Sequence, residues 1–326
     1  MRVRIVVNPV ASSVTPRRVA RLRDALEAVS AVDDVDLVTT LARGHAVDLA
    51  RQATDAGVEL VVTVGGDGTL DEAANGLVGT ATALAAFPGG STNVFARAVG
   101  FSNRAGPATQ RIAAAVAAHN VRRIGVGVAS APGVERRFLF HAGIGFDAAV
   151  VAAMEARRRS QWVKRFAAHP AFAVQTLATL ARTDRRHPSL SVTVPGEVPH
   201  RSFFTVVSNL APYSYVGARR MLLTGAAGLD RPLALTSLER FSTVAVAGVF
   251  GSAVASGRRI AHAPWVVQRA DLERVAVQGV EGRPFPVQVD GDLLGEFTEL
   301  ALHHEPDALA VLLPVGPVGP DGSPRA

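Results

Sequence analysis

At 326 residues the chain is longer than a single hydrophobic core usually serves, so two domains are expected. Hydrophobic residues at 48% and charged residues at 19% exclude a disordered chain, and no apolar run reaches the ~18 residues that a membrane-spanning helix needs. There is no cysteine, which excludes disulfides and thiolate metal sites. The formal charge of +6 is nearly all arginine, with Lys164 the single lysine. Phosphates, nucleic acid or an acidic membrane surface are what such a charge attracts, although a GC-rich codon bias gives the same composition. Residues 1–8 alternate charge with β-branched side chains and hold no apolar signal core, so the expected location is the cytoplasm.

In chain order, residues 2–7 read as a strand ending at Asn8-Pro9, and Pro16 opens an amphipathic helix to about position 29. A strand over 35–39 and a helix over 44–56 follow. Residues 58–64 are a continuous apolar run, as in a parallel strand covered on both faces. A helix over 70–77, a strand over 81–87 and a helix to about 99 complete an alternation that predicts a parallel sheet with helices on both faces. Past position 119 the rhythm changes. Strands are expected over 121–128, 137–141, 190–194, 202–208, 233–238, 274–277 and 285–289, mostly separated by turns, which favours an antiparallel β-rich domain. A helical insertion over about 148–182 interrupts it, and the Pro- and Gly-rich tail from 314 is expected to be disordered.

Two turns carry the chemistry. Gly65, Gly66, Asp67, Gly68 and Thr69 sit at the carboxyl end of the buried strand and open a helix, where open α/β sheets bind ligands. Glycines let backbone approach a phosphate, and a helix N-terminus offers N–H donors. Asp67 suits such a cradle only if it holds a metal or orients a donor. A second turn of the same design, Gly89-Gly90-Ser91-Thr92-Asn93, follows the next strand, and together the two turns can hold a polyphosphate. A P-loop is excluded because Lys164 lies far from either turn, and a dinucleotide fingerprint fails because Asp71 stands where its third glycine should be.

These turns, with Asn8-Pro9, Thr40, Gly44-His45-Ala46 and residues 88–97 (Pro-Gly-Gly-Ser-Thr-Asn-Val-Phe-Ala-Arg), resemble the diacylglycerol-kinase catalytic-domain family of lipid kinases. Further matches run in the family's order along most of the chain: residues 141–147, Ser208-Asn209, Tyr213-Ser214-Tyr215 and Asp290-Gly291-Asp292. The Gly-Gly-Asp-Gly-Thr motif alone is shared with NAD kinases. The resemblance implies an NAD-kinase- or phosphofructokinase-like α/β domain over 1–119, rejoined by 299–313, and a β-rich, β-sandwich domain over 120–298. It implies an ATP site from Asn8, Pro9, Ser12, Thr40, Gly65, Gly66, Asp67, Gly68, Thr69, Leu70, Asp71 and Ser91, with Mg2+ near Asp67. It also implies a general base on the lipid hydroxyl, here Asp292, where the family carries glutamate; Glu296 is the rival. In the loop 225–230 an alanine replaces the family's aspartate for an accessory magnesium.

The expected partner is a lipid alcohol at a membrane surface, reached peripherally, with no nucleic acid and with a homodimer compatible with the sequence. Arg157, Arg158, Arg159, Lys164 and Arg165, interleaved with Trp162 and Phe166, would suit that surface or a plain solvated helix face. Two other readings stay open: a kinase of a soluble acceptor such as NAD, and a nucleotide-binding protein without turnover.

Overall fold

A computed structural model describes residues 1–146, 148–149, 187–255, 257 and 260–316. The helical insertion, the basic-aromatic stretch at 157–166 and most of the expected disordered tail lie outside them. The chain divides into two compact units, residues 1–126 with 306–326, and residues 127–305.

The first unit alternates strand and helix: β1 (Arg2–Val7), α1 (Pro16–Glu27), β2 (Asp34–Thr39), α2 (His45–Asp55), β3 (Leu60–Gly65), α3 (Asp67–Leu77), β4 (Ala83–Pro88), α4 (Val94–Ala98) and α5 (Ala105–Ala117). A strand β5 (Val121–Ala131) begins in this unit. The sheet order is β2-β1-β3-β4, all parallel. Because β2 lies on one side of β1 and β3 on the other, right-handed crossovers place α1 on one face and α2 and α3 on the opposite one. The packing follows suit, α1 against α5 and α2 against α3.

All six residues of β3 and of β4 are buried, which is why both strands read as unbroken apolar runs. Ile5, Leu22, Leu26, Leu60, Leu84, Phe95 and Ile112 are fully buried, each worth about 1.5–3 kcal/mol of transfer free energy. Helix α5 was absent from the expectation above. Its buried Ala108, Ile112, Ala115 and Val116 do fall at helical spacing, but the alanines carry little hydrophobic contrast.

The second unit is built from antiparallel strands: β6 (Val134–Phe138), β7 (His141–Gly145), β8 (Leu190–Thr193), β9 (His200–Ser202), β10 (Phe204–Ser208), β11 (Ser214–Val216), β12 (Arg219–Met221), β13 (Leu233–Leu238), β14 (Val266–Leu272), β15 (Arg274–Gly279), β16 (Phe285–Val289) and β17 (Asp292–Phe297). A helix, α6 (Thr243–Ala255), lies between β13 and β14. The last strand, β18 (Glu299–Leu312), pairs with β15 through 299–303 in this unit, and its Val311 pairs with Leu84 in the first.

One sheet has the order β14-β13-β10-β7-β16-β17. Its Ile144, Val207, Leu235 and Val287 meet Leu190, Val192, Val277 and Leu302 of the other layer in one apolar core, a β-sandwich. The opposite face of β10 and β13 is covered by α6, through Val206, Leu238, Val249 and Ala253 together with Phe203 and Phe241. The expected strand over 137–141 is in fact two strands, broken at Leu139-Phe140, for a reason given below.

Candidate functional site

The nucleotide-binding residues expected from the sequence converge where the parallel strands end. Asn8 follows β1, Thr40 follows β2, Gly66 follows β3 and Gly89 follows β4, so all lie along one edge of the sheet. The reversal of strand order between β2-β1 and β3-β4 makes this edge the switch point at which such sheets open a crevice.

Short bonds knit the edge together. Asn8 Nδ2 donates to Thr69 Oγ1 at 2.9 Å, and Ser13 N–H donates to the Gly89 carbonyl at 2.9 Å. Gly89 N–H donates to the Gly65 carbonyl at 2.9 Å, so the two glycine turns stack backbone to backbone. Thr40 N–H reaches the Val7 carbonyl at 2.9 Å, and the Thr40 side chain is buried. Gly44 caps α2 with φ of 85°, a left-handed conformation that explains the glycine.

The glycines of the two turns fall into two kinds. A Cβ on Gly65 would lie 2.8 Å from Thr69 Oγ1, one on Gly89 2.8 Å from Gly65 N, and one on Gly90 2.7 Å from Gly66 Cα. These three are glycine because the Thr69 side chain packs on Gly65 and backbone packs on Gly89 and Gly90. Gly68 is exposed, and a Cβ there would meet nothing within 4 Å; on Gly66 it would make only an ordinary 3.6 Å contact. Internal packing therefore leaves these two free of side chains without requiring it, as a cradle for an approaching ligand would.

Asp67 opens α3 and reaches across to the second turn, where its carboxylate accepts from Val94 N–H at 2.9 Å and Phe95 N–H at 3.2 Å. It thereby satisfies two first-turn donors of α4, whose Asn93 cap makes no side-chain bond to that helix. Burial pushes the Asp67 carboxyl above its ordinary value, against the opposing pull of those two N–H groups and of the Arg97 charge. Asn93, which the sequence reading did not single out, holds φ of 48° and bonds both the Gly90 N–H at 2.8 Å and the Gly90 carbonyl at 2.9 Å. Asparagine's tolerance of the left-handed region was the available signal.

Ser91, Pro9 and Ser12 are exposed beside this edge. Leu70 and Asp71 point the other way: both are buried, and Asp71 accepts from Asn75 Nδ2 within its own helix at 3.2 Å. Among the described residues no cluster of three or more histidines or carboxylates could hold a metal by itself.

The second group of expected residues gathers in the other unit. Asp290 and Gly291 form a two-residue turn between β16 and β17 with φ of 50° and 87°, the left-handed pair that a tight hairpin requires. The Asp290 carboxylate accepts from Leu139 N–H at 2.7 Å, Phe140 N–H at 3.0 Å and His141 N–H at 2.9 Å. That triple acceptor turns the chain between β6 and β7 and breaks the strand expected over 137–141. Asp292 begins the edge strand β17, half-buried, while Glu296 further along it is exposed.

Next to this hairpin His141 is buried and stacks on Tyr213 with ring centroids 4.2 Å apart. Its Nδ1 has no hydrogen-bond partner among the described residues, and burial holds the imidazole neutral by lowering its pKa to about 3. Asp147, part of the same motif, lies outside the described residues.

Comparison with known proteins agrees with this architecture. The family description "Diacylglycerol kinase catalytic domain" matches residues 2–129. A crystal structure of a diacylglycerol kinase from Bacillus anthracis str. Sterne superposes with a TM-score of 0.67 at 17% identity, covering 96% of this chain and 97% of its own. An NAD kinase from Archaeoglobus fulgidus, solved with ATP, gives 0.52 at 14% identity over 96% and 94%. At such identities the likeness establishes the fold. A comparison with curated proteins yields no relative.

Proposed function

We propose that this chain, whose residues 2–129 match the diacylglycerol kinase catalytic domain, is an ATP-dependent kinase that phosphorylates the hydroxyl of a lipid alcohol such as diacylglycerol. The observation that carries the nucleotide half is the stacked pair of glycine turns, with Gly66 and Gly68 open on the side away from the packing. An anionic phosphate seated there meets backbone N–H groups at the start of α3, with the hydroxyls of Thr69 and Ser91 as further donors. No lysine is needed, which suits a chain whose single lysine is Lys164. Asp67 fits a magnesium ion because that ion takes one or two carboxylates and completes its shell with water and phosphate oxygens. When bound, magnesium supplies charge neutralisation on the transferred phosphoryl group.

The acceptor half rests on a carboxylate at the β16–β17 hairpin. Asp292 takes the hydroxyl proton in this reading, while Asp290 positions it by fixing the turn. The apolar stretch over 210–223 and the second turn's full motif favour a lipid over a soluble acceptor. The test offers labelled ATP and magnesium with a panel of diacylglycerol, sphingoid bases and NAD. Lipid labelling is the expected result, and labelling of NAD alone would replace the reading with the soluble-acceptor one. Asp292→Asn should lower turnover by about 10²–10⁴ with ATP affinity nearly unchanged, and Glu296→Gln should matter little. The reverse order would move the base to Glu296.

A further inference from the structure

Helix α6 carries no charged residue, and its Ser252 is buried. Its inner face buries Ala245, Val249 and Ala253, but Val244, Ala247, Gly248, Gly251 and Ala255 form an exposed stripe at helical spacing, with Val244 82% accessible. A helix without polar residues on its solvent side is ordinarily covered by something. Gly248 and Gly251 sharpen the point. A Cβ on either would meet nothing within 4 Å, so packing inside the chain does not ask for glycine in mid-helix, where each costs about 1 kcal/mol relative to alanine.

Cations frame the stripe. Arg240 is exposed just ahead of α6, and Arg219 and Arg220 are exposed on β12, which packs on the helix; Leu222, next to β12, donates its N–H to the Ala253 carbonyl at 2.9 Å. None of the three forms a recorded ion pair among the described residues. Residues 198–229 hold three arginines and residues 240–270 hold four, with no aspartate or glutamate in either stretch, and the exposed Glu239 directly precedes Arg240.

We infer that the outer face of α6, with Arg219, Arg220 and Arg240, docks on an anionic lipid bilayer. Apolar side chains enter the boundary between headgroups and acyl chains while the arginines meet lipid phosphates. A second copy of the chain fits this face less well, since a two-fold contact sets like against like and would bring the arginines of both copies together. The inference deepens the lipid-kinase reading and rests on it for its purpose, but its test is a binding measurement that does not depend on turnover.

The experiment sediments the full chain with vesicles of phosphatidylcholine, with and without phosphatidylglycerol, at rising salt. Binding should need phosphatidylglycerol and weaken as salt rises. Arg219→Gln with Arg220→Gln should weaken it roughly 30-fold, since each arginine near such a surface contributes a factor of about five. Val244→Asp, at a position too exposed to disturb the core, should also release the protein. Both variants should keep wild-type turnover on a short-chain, water-dissolved diacylglycerol and lose it on the vesicle-embedded lipid.

Equal binding to neutral and anionic vesicles, or variants that bind like the wild type, would overturn the docking face. So would a dimer that Val244→Asp converts to a monomer at unchanged vesicle binding. If the variants lose vesicle binding but no lipid is phosphorylated by the wild type, the docking face stands and the proposed reaction fails.

Discussion

A methyl group at Gly68 would meet open space, whereas one at Gly90 would press on the Gly66 backbone at 2.7 Å. Two glycines of one site therefore fail differently when substituted. Gly90→Ala forces the stacked turns apart and should cost about 1–3 kcal/mol of stability, as overpacking does. Gly68→Ala lies in the first turn of α3 and should leave stability unchanged or raise it by up to about 1 kcal/mol. Its effect should instead appear as weaker ATP binding by calorimetry. Unaltered ATP affinity in Gly68→Ala would assign the whole turn to packing. The sequence identified these glycines as a set but could not sort them, because a Cβ clash involves the neighbouring turn more than twenty residues away. It likewise left Asp67 as a metal ligand or an orienter of donors, and could not show that its carboxylate accepts from Val94 and Phe95 N–H in the second turn.

Among the elements, the β16–β17 hairpin is tied to the segment joining β6 to β7 by the Asp290 side chain. Asp290 accepts three N–H groups from the segment joining β6 to β7, so Asp290→Ala strands three donors at once. Each unsatisfied buried donor costs about 1–3 kcal/mol, and a total loss above roughly 3 kcal/mol in urea unfolding is expected. Asp290→Asn keeps one acceptor oxygen and should lose less. If the alanine variant is as stable as the wild type, the turn does not depend on that carboxylate. The Asp-Gly pair was legible as a turn, with its tight-hairpin chemistry written in the residue types. The break at Leu139-Phe140 was not, since the residue that causes it lies some 150 positions away.

For the molecule as a whole, His141 ties stability to pH. Its ordinary pKa of 6.5 falls to about 3 in the folded chain because burial disfavours the charged ring. As pH drops below 6.5 the unfolded chain takes up a proton that the folded one refuses, so stability declines towards pH 3, by up to about 1.4 kcal/mol per pH unit. The stabilisation is complete above the unfolded value and is lost on acidification. Unfolding midpoints of wild type and His141→Phe, followed across that range, should diverge as pH falls, with the variant showing the shallower slope. Parallel curves would mean that His141 protonates freely in the native state.

What the sequence determined by itself was local. Strand and helix alternation through the first hundred residues, the strands β1, β13 and β16 to the residue, the two glycine turns and the Asp-Gly hairpin all follow from hydrophobic period and turn chemistry within a few neighbours. Tertiary structure decided what depends on distant partners. It turned Leu70 and Asp71 inward, showed which glycines are held by packing, and left one face of α6 exposed beside arginines among the described residues. A residue's neighbours across the fold fix its burial and its hydrogen bonds, and those neighbours are not adjacent along the chain.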